Sequence, residues 1–213
     1  MEHLTNLSSK EFLHLLASNA PTPGGGGAAA LAGALAAALA SMLANLTIGK
    51  KGFAECETEA QQLLEQAESL RQDILLLVEK DAEVFDKFMV CYKMPKASEA
   101  EKALRQQALQ NAAKMAAEIP LSIAESCRKI MQVTARLAEI GNPNVITDGA
   151  VSALLARAAL RSSIYNVEVN LNLTKDAVYN QQMTEKCRSL AEQAFTLEEK
   201  TLKLTDKVIG VER

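Results

Sequence analysis

The chain has 213 residues and a formal net charge of −3; 4% of its side chains are aromatic and none is tryptophan. It is rich in alanine, leucine, glutamate, lysine and glutamine, which lose little rotamer freedom in a helix, so composition favours α over β. The weakly acidic balance offers no global field for nucleic acid, and an anionic small ligand would need a local basic patch.

Ser8 and Glu11 have capping-box spacing, which predicts a first helix from Ser8 to about Ser18. Pro21, Pro23 and Gly24 to Gly27 end it. An Ala-rich helix follows and stops near Gly49-Lys50-Lys51-Gly52, where the lysines also complement its macrodipole. Its core, Ala28 to Leu46, is uncharged and about long enough to span a bilayer. Small residues on every face instead suit the crowded centre of a bundle, and no membrane is expected. From about Ala54 to Tyr92 neither Pro nor Gly interrupts a helical period, giving one or two nearly continuous helices about 55 Å long. Met94-Pro95 closes that stretch. Ser98 and Glu101 open a helix expected to reach Glu118, with Pro120 in the first turn of the next, which ends at Gly141. Thr147 or Asp148 caps a further helix through about Asn170, and Thr174 caps the last. No stretch alternates like a strand. The fold class expected is all-α: an elongated multi-helix bundle around a buried Ala-rich helix, with residues 1–213 as one domain.

Cys56, Cys91, Cys127 and Cys187 form no CxxC pair, so neither a zinc site nor a disulfide framework is suggested. The N-terminus lacks the basic and apolar regions of a signal peptide, and a cytoplasmic protein is expected. The two histidines, His3 and His14, lie near the N-terminus, and neither a metalloprotease motif nor a hydrolase Ser-His-Asp pattern is present.

One carboxylate is singled out by its neighbours. Leu63, Ala67, Leu70, Ile74, Leu77, Asp81, Val84 and Phe88 share a helical seam in which only Asp81 is polar. A carboxylate among apolar residues is neutralised by a partner or held with a raised pKa, and both states suit general acid–base work. Charged Glu79, Lys80, Glu83 and Asp86 surround it, so the seam reaching solvent at this turn explains the pattern equally well. The turn Pro21-Thr22-Pro23-Gly24-Gly25-Gly26-Gly27 precedes a helix whose amides could meet a ligand, but it lacks the Gly-Lys-Ser/Thr of a P-loop and equally fits a tight interhelical crossing. Lys50 with Lys51, Lys93 with Lys96, and Arg157 with Arg161 are basic clusters, and turn lysines are usually just solvated. Asn166 and Asn170, four apart, share a helix face and could grip a heterocycle or bridge helices.

Taken in order, PTPGGGGAAALAGALAAALASMLANLTIGKKGF, EKDAEVF, YKMPK and SSIYNVEVNLNLTKD resemble the formiminotetrahydrofolate cyclodeaminase and methenyltetrahydrofolate cyclohydrolase family over nearly the whole chain. The resemblance implies an all-helical subunit, a homodimer or larger homo-oligomer, and a tetrahydrofolate substrate, polyglutamylated or not, with no metal and no further cofactor. It places the catalytic carboxylate on Asp81. Pro23, Gly24, Gly25 and Gly26 match the glycine turn of the substrate site, and Asn166 and Asn170 match its asparagine motif. Lys50, Lys51, Lys93 and Lys96 become candidates for the glutamate tail. The first expectation is conversion of 5-formiminotetrahydrofolate to 5,10-methenyltetrahydrofolate with loss of ammonia. The alternatives are hydrolysis of the methenyl compound to 10-formyltetrahydrofolate and a non-catalytic helical scaffold. Many relatives carry serine where this chain has Gly27.

Overall fold

Local chemistry sets most helix boundaries in the computed structural model, which describes residues 3–211. Ser8 caps α1 (Ser9–Leu16): its hydroxyl accepts from the Glu11 N–H while the Glu11 carboxylate accepts from the Ser8 N–H. Ser98 and Glu101 repeat the device at α4 (Glu99–Ile140). Between them lie α2 (Gly25–Asn45) and α3 (Glu57–Tyr92), followed after α4 by α5 (Ile146–Leu171) and α6 (Ala177–Ile209). Among the described residues there is no strand. Thr174 does not cap α6 as expected. The chain makes one more turn after α5, where buried Thr174 donates to the Leu171 carbonyl, and Asp176 caps instead by accepting from the Tyr179 N–H.

The second correction is α4. The sequence predicts a break between Glu118 and Pro120, yet the helix runs unbroken through a buried Pro120. Proline has no N–H for the carbonyl four residues back, here Ala116. Asn170 of α5 fills the gap: its side-chain amide donates to the Ala116 carbonyl at 2.9 Å and to the Asn166 carbonyl at 2.8 Å. A neighbouring helix thus removes the main penalty that would end α4.

The Ala-rich α2 is the bundle's centre, packed against α3, α4 and α5. By length and composition it could cross a membrane, but most of it is buried inside the protein. Small residues let the helices approach closely: a Cβ on Gly33 would collide with Ile74 Cδ1 and stand 3.0 Å from Cys127 Sγ. One buried polar cluster ties three helices together: Ser152 of α5 donates to the Ala36 carbonyl of α2 at 2.7 Å and bonds Thr134 of α4 at 2.9 Å. The four cysteines are free, and burial pushes the thiol of Cys127 up to about 12 and that of Cys187 to about 11.

Candidate active site

Asp81 leaves the seam of α3 where the first turn of α2 crosses it. The first amides of a helix have no intrahelical acceptor. One of them, the Gly27 N–H, donates to Asp81 Oδ2 at 3.0 Å. The approach requires Gly26 to lack a side chain, because a Cβ there would lie 2.5 Å from Asp81 Cγ and 2.6 Å from Oδ2, closer still to Oδ1. Gly27 contributes only its backbone, and a Cβ there would meet Pro23 Cβ at a tight 3.3 Å. Gly27 therefore serves the carboxyl through its backbone N–H, in a place where a side chain would have to press on Pro23.

The carboxyl is half-buried, and that burial raises its pKa above the ordinary aspartate value; the Gly27 hydrogen bond opposes the rise without cancelling it. Among the described residues no lysine, arginine or histidine forms an ion pair with Asp81. A carboxyl held by one amide and shielded from water, with no ion-pair partner, can exchange a proton nearer neutrality than a solvated one.

On the other side of the turn, α5 brings up Asn166. A Cβ on Gly25 would sit 3.7 Å from both amide atoms of Asn166, whose side-chain amide donates to the Ser162 carbonyl at 2.9 Å. Gly25, Ala28, Ala32, Ala158, Tyr165 and Asn166 line a groove of about 430 Å³, a volume that suits a small heterocycle. Asn170 lies one turn beyond, with its amide hydrogens given to Ala116 and Asn166. It braces the helix that carries Asn166.

The structure thus brings together Asp81, Pro23 to Gly27 and Asn166, with Asn170 behind them. It does not bring the lysine pairs together. Lys50 and Lys51 follow α2 at the end remote from its glycine turn, about 30 Å away along the helix. Lys93 and Lys96 follow the C-terminus of α3, at the other end of the bundle. Arg157, half-buried, is paired with Glu198 of α6 at 3.1 Å. Sequence reasoning overlooked Tyr92, Lys102 and Arg105, which with Lys96 line a second cavity of about 450 Å³. Continuing the face of Asp81 by seven and eleven residues, to Phe88 and Tyr92, points to it. Among the described residues no group of three His, Cys, Asp or Glu side chains could hold a metal ion.

Fold and site together define an all-helical protein with a protonatable carboxyl seated on a helix N-terminus beside a small-residue groove. The chain belongs to the formiminotransferase-cyclodeaminase family, whose model matches residues 8–189. The methenyltetrahydrofolate cyclohydrolase of Methylorubrum extorquens is 43% identical over 195 residues, covering 92% of this chain and 94% of that protein. The formimidoyltransferase-cyclodeaminase of Rattus norvegicus is 29% identical over 195 residues, which span 36% of its length. The crystal structure of a formiminotetrahydrofolate cyclodeaminase from Thermotoga maritima superposes with a TM-score of 0.88 at 33% identity, covering 97% of this chain and all of that one.

Proposed function

We propose that the protein works on the one-carbon unit bridging N5 and N10 of tetrahydrofolate, hydrolysing 5,10-methenyltetrahydrofolate to 10-formyltetrahydrofolate. The observation that carries this reading is the Asp81 carboxyl, its pKa raised by burial, held by the Gly27 amide at the rim of the bundle core. The hydrolase is preferred to the cyclodeaminase, which the family resemblance put first although the residues themselves do not choose between them, because the relative named for it is 43% identical over 94% of its length. The cyclodeaminase is the second reading, supported by the 33% identical Thermotoga structure.

In the first reaction, water attacks the electrophilic methenyl carbon and Asp81, ionised, takes a proton from that water. The resulting tetrahedral carbon carries a hydroxyl between N5 and N10. The hydroxyl proton passes to solvent water while the now-protonated Asp81 delivers its proton to N5, which breaks the C–N5 bond and leaves the formyl group on N10. In the second reaction, N10 attacks the formimino carbon, the N10 proton passes to the formimino nitrogen, and protonated Asp81 delivers the further proton with which ammonia departs. Both pass through one tetrahedral carbon, so a carboxyl able to hold and release a proton serves either; such catalysis is typically worth ~10²–10⁴-fold. Asn166 and the glycine turn would hold the pterin. Neither step uses a metal.

A homo-oligomer belongs to the same proposal. Leu35 and Met42 on α2 and Val151, Leu154 and Tyr165 on α5 are exposed apolar residues on adjacent helices. A second subunit there would cover them, and only an assembly could bring Lys50 and Lys51 near a site. The assay is methenyl absorbance: accelerated loss of methenyltetrahydrofolate supports the hydrolase, and appearance of that absorbance from 5-formiminotetrahydrofolate supports the cyclodeaminase. Failure of both reactions with folded, assembled protein would overturn the proposal.

A further inference from the structure

Phe88 and Tyr92 lie seven and eleven residues beyond Asp81 on α3. Those offsets bring them back to the face of Asp81 after two and three turns, about 10 and 16 Å along the axis. That face ends in the cavity of about 450 Å³, which Phe88, Tyr92, Lys96, Lys102, Arg105 and Leu109 help to line. Its walls are preformed: Gln110 donates to the Leu173 carbonyl at 2.8 Å and accepts from the Lys175 N–H at 2.6 Å, fixing the α5–α6 turn to α4. Arg105 donates to the Tyr92 carbonyl through Nε at 3.2 Å and Nη2 at 2.9 Å, and its guanidinium carbon lies 5.2 Å from the Tyr92 ring centroid.

The cavity's charges are out of balance. Lys102 is paired with Glu99 at 2.7 Å, both exposed. The Glu101 carboxylate is spent on the backbone N–H groups of Ala97 and Ser98. Among the described residues neither Arg105 nor Lys96 forms an ion pair. Aromatic and aliphatic walls with two uncompensated cations at the mouth suit a ligand that carries a flat ring and a carboxylate together.

We infer that this cavity is the subsite for the aminobenzoyl-glutamate tail of the substrate, with Arg105 and Lys96 receiving tail carboxylates. The inference rests on the folate reading above. In that substrate N10 bears the benzoyl ring directly and the glutamates follow it. With the bridging carbon at Asp81, the tail must extend away from the glycine turn, and the Asp81–Tyr92 face, apolar at Val84 and Phe88, offers a path that ends in cations.

The test is calorimetric titration with p-aminobenzoyl-triglutamate, a tail without a pterin, alongside kinetics on methenyltetrahydrofolate triglutamate and on the analogue lacking glutamate. Arg105→Gln keeps a donor for the Tyr92 carbonyl, and Lys96→Gln alters only a surface side chain. Each variant should weaken the tail fragment and raise KM for the triglutamate by about tenfold, with kcat and the glutamate-free substrate unaffected. Tail binding that depends on Arg105 in a protein without turnover would retain the subsite and remove the reaction. Normal turnover with tail affinity indifferent to both substitutions, or equal losses on the two substrates, would overturn the subsite alone.

Discussion

Gly26→Ala is the sharpest probe of how the carboxyl is seated. The new Cβ would begin 2.5 Å from Asp81 Cγ and 2.6 Å from Oδ2. Non-bonded carbons settle near ~3.5 Å, so the carboxyl must retreat by about 1 Å and stretch its bond from Gly27. The obstacle is the tip of a short side chain that can rotate, so the stability loss should stay within about 1–3 kcal/mol, the usual range for overpacking. The catalytic loss should be larger in proportion, because a displacement of about 1 Å at a reacting group can cost ~10²-fold. Steady-state methenyl kinetics and a thermal melt measure the two separately. Gly33→Ala is the control: its Cβ would press on Ile74 and Cys127, away from Asp81, and should lower the melting temperature with little change in kcat for the folded enzyme. A folded Gly26→Ala enzyme with more than half the wild-type kcat/KM would refute the reasoning.

Asp81→Asn should stabilise the protein at neutral pH while disabling it. The folded-state pKa of Asp81 is raised, so its contribution to stability is present below the ordinary aspartate pKa and lost as pH climbs through the raised value. Asparagine keeps an acceptor for the Gly27 N–H without the charge. Melts at pH 7 to 8 should show a gain of about 1 kcal/mol, roughly 2–4 °C, that shrinks toward acid pH; a destabilised variant at pH 8 would contradict this. Asn170→Ala should cost about 1–3 kcal/mol by leaving the Ala116 carbonyl unpaired, and clearly less in a Pro120→Ala background, where the restored N–H can serve that carbonyl. Denaturant midpoints around that double-mutant cycle should couple by at least ~0.5 kcal/mol, and strict additivity would break the proposed link.

What the sequence made legible was what short-range chemistry decides. Ser8 with Glu11 and Ser98 with Glu101 announce helix starts because the capping groups are three residues apart. The seam of α3 exposes Asp81 because a helix repeats its face locally. Pro120 misleads for the same reason: its local rule is a break, and the compensating amide of Asn170 arrives from fifty residues away. Periodicity also left open whether Asp81 met solvent, since what covers it is the glycine turn of another helix. The four lysines were alike as residue types, and only the helix lengths reveal that one pair stands at each end of the bundle. Gly26 and Gly27 look identical in the chain, yet one supplies space and the other an amide.

The most direct measurement follows methenyl absorbance with wild type and Asp81→Asn, each supplied separately with methenyltetrahydrofolate and 5-formiminotetrahydrofolate. The expected result is rapid enzyme-dependent loss of methenyl absorbance in wild type and a fall of at least ~10²-fold in the variant, whose melt stays cooperative. Full activity in folded Asp81→Asn would contradict the role given to this carboxyl.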